Sequence, residues 1–407
     1  MRWIILILLY LLVDIYAYQA FRIFTRNGWF GIAYFAVSAL VIANLFYQFN
    51  QPAPYDGLGG GRGYAIGIFL AFFVSKLLVA ILMLGEDVVR VPFAGIQKLF
   101  GSSENFSLPS RRKFLGTLAL GIAAIPFAGF LYGMFRGRYN FRVLNYTLYF
   151  EDLPDAFDGY RITQISDIHS GSFDHEEKIR YGVDLIKEQD TDLIVFTGDL
   201  VNNIADEMEN WKGLFSEISA KDGVYSILGN HDYGDYHQWS SDQAKAENLQ
   251  KLKDTHGQMG WNLLLNEHRY LEKNGQRIAL VGVENWGAGF KQVGDLAKAE
   301  QGVAANDFKI LLSHDPSHWN EQVKNHNNKY HLTMSGHTHG MQFGIEIPGW
   351  IKWSPVKYRY KQWAGIYEHN GRYINVNRGF GFLAYPGRVG IWPEVSVIEL
   401  KKGPKPA

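Results

Sequence analysis

Cysteine is missing from all 407 residues. That excludes disulfides, thiolate metal sites and cysteine nucleophiles. Net charge is missing as well: 40 Lys and Arg balance 40 Asp and Glu, so no polyanionic partner is expected and nucleic acid is not among the predicted ligands. No internal repeat of short period is present. What is there is divided unevenly, with most long apolar stretches before residue 136 and most histidines after it.

Residues 3–21, 29–47, 64–84 and 114–135 are each apolar over about the 20 residues a helix needs to cross hydrocarbon. Tyr and Trp stand at several of their ends, as an interfacial belt requires. Short polar connections separate them, one built from Pro52, Pro54 and the glycines of residues 57–63. The chain therefore reads as a transmembrane helical region, residues 1–138, followed by a second domain over residues 139–407.

Orientation follows from the basic residues. One alternating set of connections carries Arg22, Arg26, Arg90, Lys98, Arg111, Arg112 and Lys113, and the other carries Arg2, Arg62, Arg136, Arg138 and Arg142. The richer set is expected on the cytoplasmic side. This places everything after Phe135 outside the cytoplasm, on a multi-pass anchor in a bacterial cytoplasmic membrane. Ser110-Arg111-Arg112-Lys113-Phe114-Leu115 reads either as a twin-arginine-type export signal or as an ordinary basic flank. Asp14 and Lys76 fall inside spans, where ionisable groups are rare; Lys76 could snorkel outward or face the bundle.

From about residue 141 the pattern changes to short β-rich runs: 142–150, 161–165, 193–197, 224–228, 278–283, 309–312, 331–334, 373–376 and 395–400. Helical patterns lie between them at 176–188, 207–219 and 241–253. Asn274-Gly275 and Asn370-Gly371 are hairpin signals. The expected fold class is α/β, a double β-sheet sandwich flanked by helices and partly antiparallel.

Five of these strands end in side chains that can carry chemistry. They deliver Asp167 and His169, then Asp199, then Asn230-His231-Asp232, then His314, and last His337 and His339 within Gly336-His337-Thr338-His339-Gly340. In α/β folds, sites collect at the carboxyl ends of strands. The set Asp167, His169, Asp199, Asn230, His314, His337 and His339 offers oxygen and imidazole nitrogen, a mix suited to Mn, Fe or Zn. It is too large for one tetrahedral ion. Two ions about 3.5–4 Å apart would use all of it, with Asp199 the natural bridging carboxylate.

The series Asp-x-His, Gly-Asp, Gly-Asn-His-Asp, His and Gly-His-Thr-His, in this order between residues 160 and 399, resembles the calcineurin-like metallophosphoesterases. Residues 153–159 and Asn377-Arg378-Gly379-Phe380-Gly381 resemble a membrane-anchored bacterial branch of that superfamily. The resemblance implies two divalent or mixed-valence metal ions. It gives one ion to Asp167, His169, Asp199 and His339, and the other to Asp199, Asn230, His314 and His337. Met341 departs from the branch, which often has a second glycine there.

The activity implied is hydrolysis of phosphate esters, diesters before monoesters and a lipid-linked diester among them, by a hydroxide shared between the metals. His231 is assigned to the leaving-group oxygen as general acid or phosphate-orienting donor. Asp232 either orients His231 or is a turn residue. Asn202 and Arg378 could reach substrate, and Arg388 could clamp a phosphate. Trp350, Trp353, Tyr358, Tyr360 and Trp363 interleave with Lys352, Lys357, Arg359 and Lys361, a pattern suited to a membrane surface or a lipid-like substrate. The alternatives are a pyrophosphatase acting on a nucleotide-linked lipid precursor, or a non-catalytic metal-binding scaffold attached to a membrane sensor or transport module.

Overall fold

The computed structural model describes residues 2–25, 27–51, 60–99 and 109–406. Arg26 and the connection through Pro52, Pro54 and residues 57–59 lie outside the described residues. The chain divides between Phe135 and Arg136 into two compact units.

The first unit holds four helices, α1 (Arg2–Phe21), α2 (Gly28–Asn50), α3 (Gly60–Leu99) and α4 (Pro109–Phe135). Each carries a window long and apolar enough to cross a bilayer: Ile4–Phe21, Gly28–Asn50, Gly60–Val88 and Arg112–Phe135. Helix α2 starts where it does because the Asn27 side chain accepts the Trp29 N–H, one of the donors a helix start leaves orphaned. Ile4, Leu12 and Leu40 point outward, while Ala17, Ala20, Ala119 and Ala123 are buried. The alanines let backbones approach closely, as in helices packed in lipid, and a second cluster buries larger side chains, among them Tyr10, Leu45 and Phe69.

Asp14 on α1, Ser38 on α2 and Lys76 on α3 meet inside this bundle. Lys76 Nζ lies 2.5 Å from Asp14 Oδ1 and 2.5 Å from Ser38 Oγ, and Ser38 Oγ donates to Asp14 Oδ1 at 3.0 Å. Lys76 thus faces the bundle, where an opposite charge offsets the cost of burying it.

In the second unit the strands run, in chain order, β1 (Arg142–Phe150), β2 (Tyr160–Ile165), β3 (Leu193–Phe196), β4 (Val224–Ser226), β5 (Trp261–Leu263), β6 (Glu267–Lys273), β7 (Gln276–Gly282), β8 (Phe308–Leu312), β9 (Leu332–Ser335), β10 (Ile345–Ile347), β11 (Ile351–Trp353), β12 (Gly365–His369), β13 (Arg372–Val376) and β14 (Glu394–Lys402). The helices are α5 (Glu176–Lys187), α6 (Lys212–Phe215), α7 (Asp242–Gln258) and α8 (Leu296–Ala299). One sheet has the order β1-β14-β2-β3-β4-β5 and the other β12-β13-β9-β8-β7-β6, with β10 and β11 forming a separate hairpin.

Strands β2 to β5 are mutually parallel, as are β7 to β9. Parallel strands covered on both faces carry near-continuous apolar runs: Leu193–Phe196 has no polar residue, and Phe308–Leu312 has only Lys309, whose Nζ donates to the Ala305 and Asp307 carbonyls. The two sheets share a core that includes Ile162, Val195 and Ile398 with Leu280, Ile310 and Met334. Each such aliphatic side chain stabilises the sandwich by about 2 kcal/mol through burial. A second core buries Ile179 and Val183 of α5 and Leu252 of α7 with Ile194 and Phe196 of β3.

The helix expected over 207–219 does not form. A 3-10 turn, Ala205–Met208, is followed by the single turn of α6. The Glu207 carboxylate is taken up by the backbone N–H groups of Asn202, Asn203 and Ile204, and Gly213 weakens the next turn.

Candidate metal centre

The parallel strands determine where the site lies. Strands β2, β3 and β4 of one sheet and β8 and β9 of the other all end at it. Asp167 and His169 follow β2, Asp199 follows β3, Asn230 follows β4, His314 follows β8, and His337 and His339 follow β9. All seven predicted ligand side chains are brought together here.

Two groups of donor atoms result, Asp167 with His169 and His339, and Asp199 with His314 and His337, each with its atoms within 4.8 Å of one another. In the first group His169 Nε2 is 3.0 Å from His339 Nε2, and His339 Nε2 is 3.3 Å from Asp167 Oδ1. In the second, His337 Nδ1 is 2.9 Å from Asn230 Oδ1. Asp199 joins the two groups: its Oδ2 is 3.1 Å from His314 Nε2 and 3.6 Å from His169 Nε2.

The partners behind these atoms select which face of each group is presented. His314 Nδ1 sits 2.7 Å from the Thr197 carbonyl, so Nδ1–H donates there and Nε2 is left as a lone-pair donor. Asn230 Nδ2 donates to Tyr236, which turns Oδ1 inward. His337 Nε2 is held by the Tyr360 hydroxyl at 2.8 Å and lies 3.4 Å from Asp315 Oδ2, leaving Nδ1 for the site. Arg388 Nη2, fully buried, approaches His339 Nδ1 at 3.2 Å while its Nε donates to the Gly381 carbonyl. It is a structural post and is not free to clamp a phosphate.

The backbone is bent to achieve this. Asp167, His169, Asp199, His337 and His339 have φ of 51°, 49°, 61°, 72° and 49°, the left-handed region that costs a side-chain-bearing residue about 1 kcal/mol. Such strain collects at functional sites. Gly336 and Gly229 lie beside Asp167 and Asp199 so closely that a Cβ at either would collide with the carboxylate.

Electrostatics sharpens the picture. Burial disfavours charge on His314, yet the adjacent Asp199 carboxylate more than offsets it and pushes the imidazole up to about 10. Burial also resists ionisation of Asp199, but His314, His231 and His169 hold it well below the usual carboxylate range. Burial keeps His169 and His337 neutral. Carboxylate and amide oxygens with imidazole nitrogens, aimed inward from two sheets, suit divalent cations of the Mn, Fe and Zn type, and a cation there would take the place of the proton that Asp199 favours on His314.

His231 is half-buried, with Nδ1 at 2.7 Å from the Asn202 carbonyl; this contact leaves Nε2 free. Three expectations change. Asp232 does not hold His231: its carboxylate accepts the N–H groups of Asp199, Leu200 and Gly229 and so orients the Asp199 loop, while burial and the Asp199 charge push it up to about 7. Asn202 is buried, its side chain is bonded to Ser172, and only its carbonyl meets a site residue, His231. Arg378 is not free for phosphate, because Glu346 holds it at 2.6 Å and Glu394 closes the other side. Glu207 and Asp315 have no role predicted from sequence, and the adjacency of Asp315 to a ligand is its only signal. Tyr360, expected in an interfacial pattern, instead holds His337, and Trp363 of the same pattern lies buried.

Over residues 1–138 the chain matches the family described as probable calcineurin-like phosphoesterase, transmembrane domain, and over residues 160–341 the calcineurin-like phosphoesterase family. It is 30% identical over 301 residues to YkuE of Bacillus subtilis, called an uncharacterized metallophosphoesterase, covering 72% of this chain and 98% of that one. The phosphodiesterase YaeI of Escherichia coli is 26% identical over 292 residues, covering 72% of this chain and 99% of YaeI. A transmembrane protein with metallophosphoesterase domain from Danio rerio is 26% identical over 67% of this chain and 60% of its own length. On these matches the chain belongs to the calcineurin-like metallophosphoesterases and is a metal-dependent phosphoric ester hydrolase with a four-helix membrane anchor.

Proposed function

We propose that this protein is a membrane-anchored phosphodiesterase with two divalent cations, acting on a lipid-linked phosphodiester outside the cytoplasm. The observation that carries the reading is Asp199, whose single Oδ2 lies between His314 of one donor group and His169 of the other. Asp167, His169, Asp199 and His339 would hold one cation, and Asp199, Asn230, His314 and His337 the other. Bound there, the cations neutralise phosphoryl oxygens and supply hydroxide near neutral pH.

The chain's own residues supply the rest. His231 Nε2 lies beside the donor groups and, in the imidazolium form with Nδ1–H on the Asn202 carbonyl, would protonate a leaving oxygen or orient a phosphoryl oxygen. The Asn202 carbonyl fixes that imidazole's tautomer. Glu207 in turn fixes Asn202 through its backbone N–H. Asp232 ties the Asp199, Leu200 and Gly229 backbones together, so the bridging carboxylate needs no rearrangement. The name phosphodiesterase borne by one relative supports a diester, and the basic excess in one set of connections supports the outward orientation.

Metal analysis of the purified full-length protein, followed by a panel of soluble diester, monoester and phospholipid substrates, tests the reading. Two metals per chain and faster diester than monoester hydrolysis are expected; one metal, or no diester hydrolysis, would refute it. Reporter fusions after Phe135 active only inside the cytoplasm would overturn the orientation.

A further inference from the structure

The hairpin of β10 and β11 is built inside out. Its register pairs Ile345 with Trp353 and Ile347 with Ile351 on one face, and Glu346 with Lys352 on the other. Alternate strand residues point to opposite sides, so one face is apolar throughout and the other charged. The charged face is the one tied to the body of the domain. Glu346 receives both Nε and Nη2 of the buried Arg378, at 3.1 and 2.6 Å, and Lys352 stands 5.3 Å from the Trp363 ring and 5.2 Å from that of Tyr367. A register slip of one residue would exchange the faces; on β10 the Arg378 ion pairs hold Glu346 inward and Ile345 and Ile347 outward, while on β11 Ile351 and Trp353 are half-buried and Lys352 is exposed.

The outward side is large. Ile345 and Ile347 are 51% and 43% exposed, Trp350 at the hairpin tip 76%, and Tyr358 just beyond β11 77%. Lys357, Arg359 and Lys361 are exposed on the segment that follows. Aliphatic residues, a Trp and a Tyr rimmed by cations match the composition of a bilayer interface, with apolar groups below, amphipathic rings at headgroup level and cations facing anionic lipid. Exposed apolar residues grouped on one short hairpin are the kind of surface that marks an interaction site. The hairpin also follows the ligand segment directly, Met341 and Ile345 coming two and six positions after His339.

We propose that this hairpin rests in the headgroup region of an anionic phospholipid bilayer and presents the metal centre to phosphoesters embedded there. The substrate half of the inference rests on the lipid-linked diester reading; the surface half does not.

Because the chain has no cysteine, Trp350→Cys in the full-length protein gives a single attachment point for an environment-sensitive fluorophore. In vesicles containing anionic phospholipid, emission from position 350 should shift to the blue and be quenched by doxyl-labelled lipid, whereas the same dye at Glu177→Cys, exposed on α5, should stay water-like. Position 350 remaining water-like overturns the proposal, as does a shift that follows protein density and ignores doxyl lipid, the mark of contact between copies.

The double variant Ile347→Ser/Trp350→Ser should hydrolyse vesicle phospholipid about tenfold more slowly, with hydrolysis of soluble bis(p-nitrophenyl) phosphate unchanged. That unchanged rate also reports an intact fold. Equal rates for both proteins on both substrates refute delivery by the hairpin. Absence of soluble diester hydrolysis in the parent would refute the proposed function and leave the fluorophore result standing.

Discussion

The two units bury charge in opposite ways. In the membrane unit one cation and one anion, Lys76 and Asp14, meet at 2.5 Å with Ser38 completing the contact, and the group is electrically closed. In the catalytic unit two carboxylates, an amide and four imidazoles converge, almost all acceptors of a positive centre. The first arrangement holds helices together; the second is open and asks for something from solution. Buried ionisable residues therefore do not mark a site by themselves. What distinguishes the site is a surplus of donors of one kind, supported by strained backbone.

The comparison breaks most visibly at Asp199. Asp199→Ala removes the group common to both donor sets and should lower diester turnover by on the order of a thousandfold, with metal content falling at the same time; retained metals would show that the two sets are independent. Lys76→Met should leave activity per folded molecule intact but cost about 3 kcal/mol, because Asp14 is then buried alone. Thermal unfolding in detergent would read this, and Asp14→Leu added to Lys76→Met should restore most of it. His231→Ala should reduce turnover about a hundredfold with metal content nearly unchanged. Loss of metal there would make His231 a structural member of the site.

An effect that is absent at neutral pH separates site histidines from packed ones. His256, His318 and His331 lie outside the ligand set, and burial lowers them to about 3, 4 and 4. Their folded values fall below the unfolded one near 6.5, so the stability they contribute is complete above that pH and is lost as pH falls toward 4. Each such group adds a slope on the order of 1.4 kcal/mol per pH unit over this range. His256→Phe keeps a ring against Phe196 and Trp261 and should flatten the denaturation midpoint between pH 6.5 and 4; an unchanged slope would mean His256 titrates normally.

Much of the site was legible because each ligand stands within four residues of the end of a strand with a strong apolar run. Strand, turn and ligand form one local unit, and local patterns can be read from sequence. What could not be read depends on partners far away in the chain. Arg378 looks free until Glu346 and Glu394 are placed beside it. Asp232 looks like an orienter of its neighbour His231, yet its oxygens reach the turn after β3, some 33 residues earlier. The helix expected at 207–219 carried a plausible apolar period, but Glu207 was already engaged by the preceding loop. Strands β5, β10 and β11, three residues each, are too short for periodicity to reveal.

One consequence follows from where the donors sit in the chain. Asp167 and His169 come early, His337 and His339 come late, and strands β3 to β9, drawn from both sheets, lie between them. On the proposed assignment neither cation finds a full set of donors in the emerging chain, and both must wait until the sheets close on each other. Metal loading is then the last act of maturation, and the ion acquired is the one abundant in the compartment where the sandwich closes.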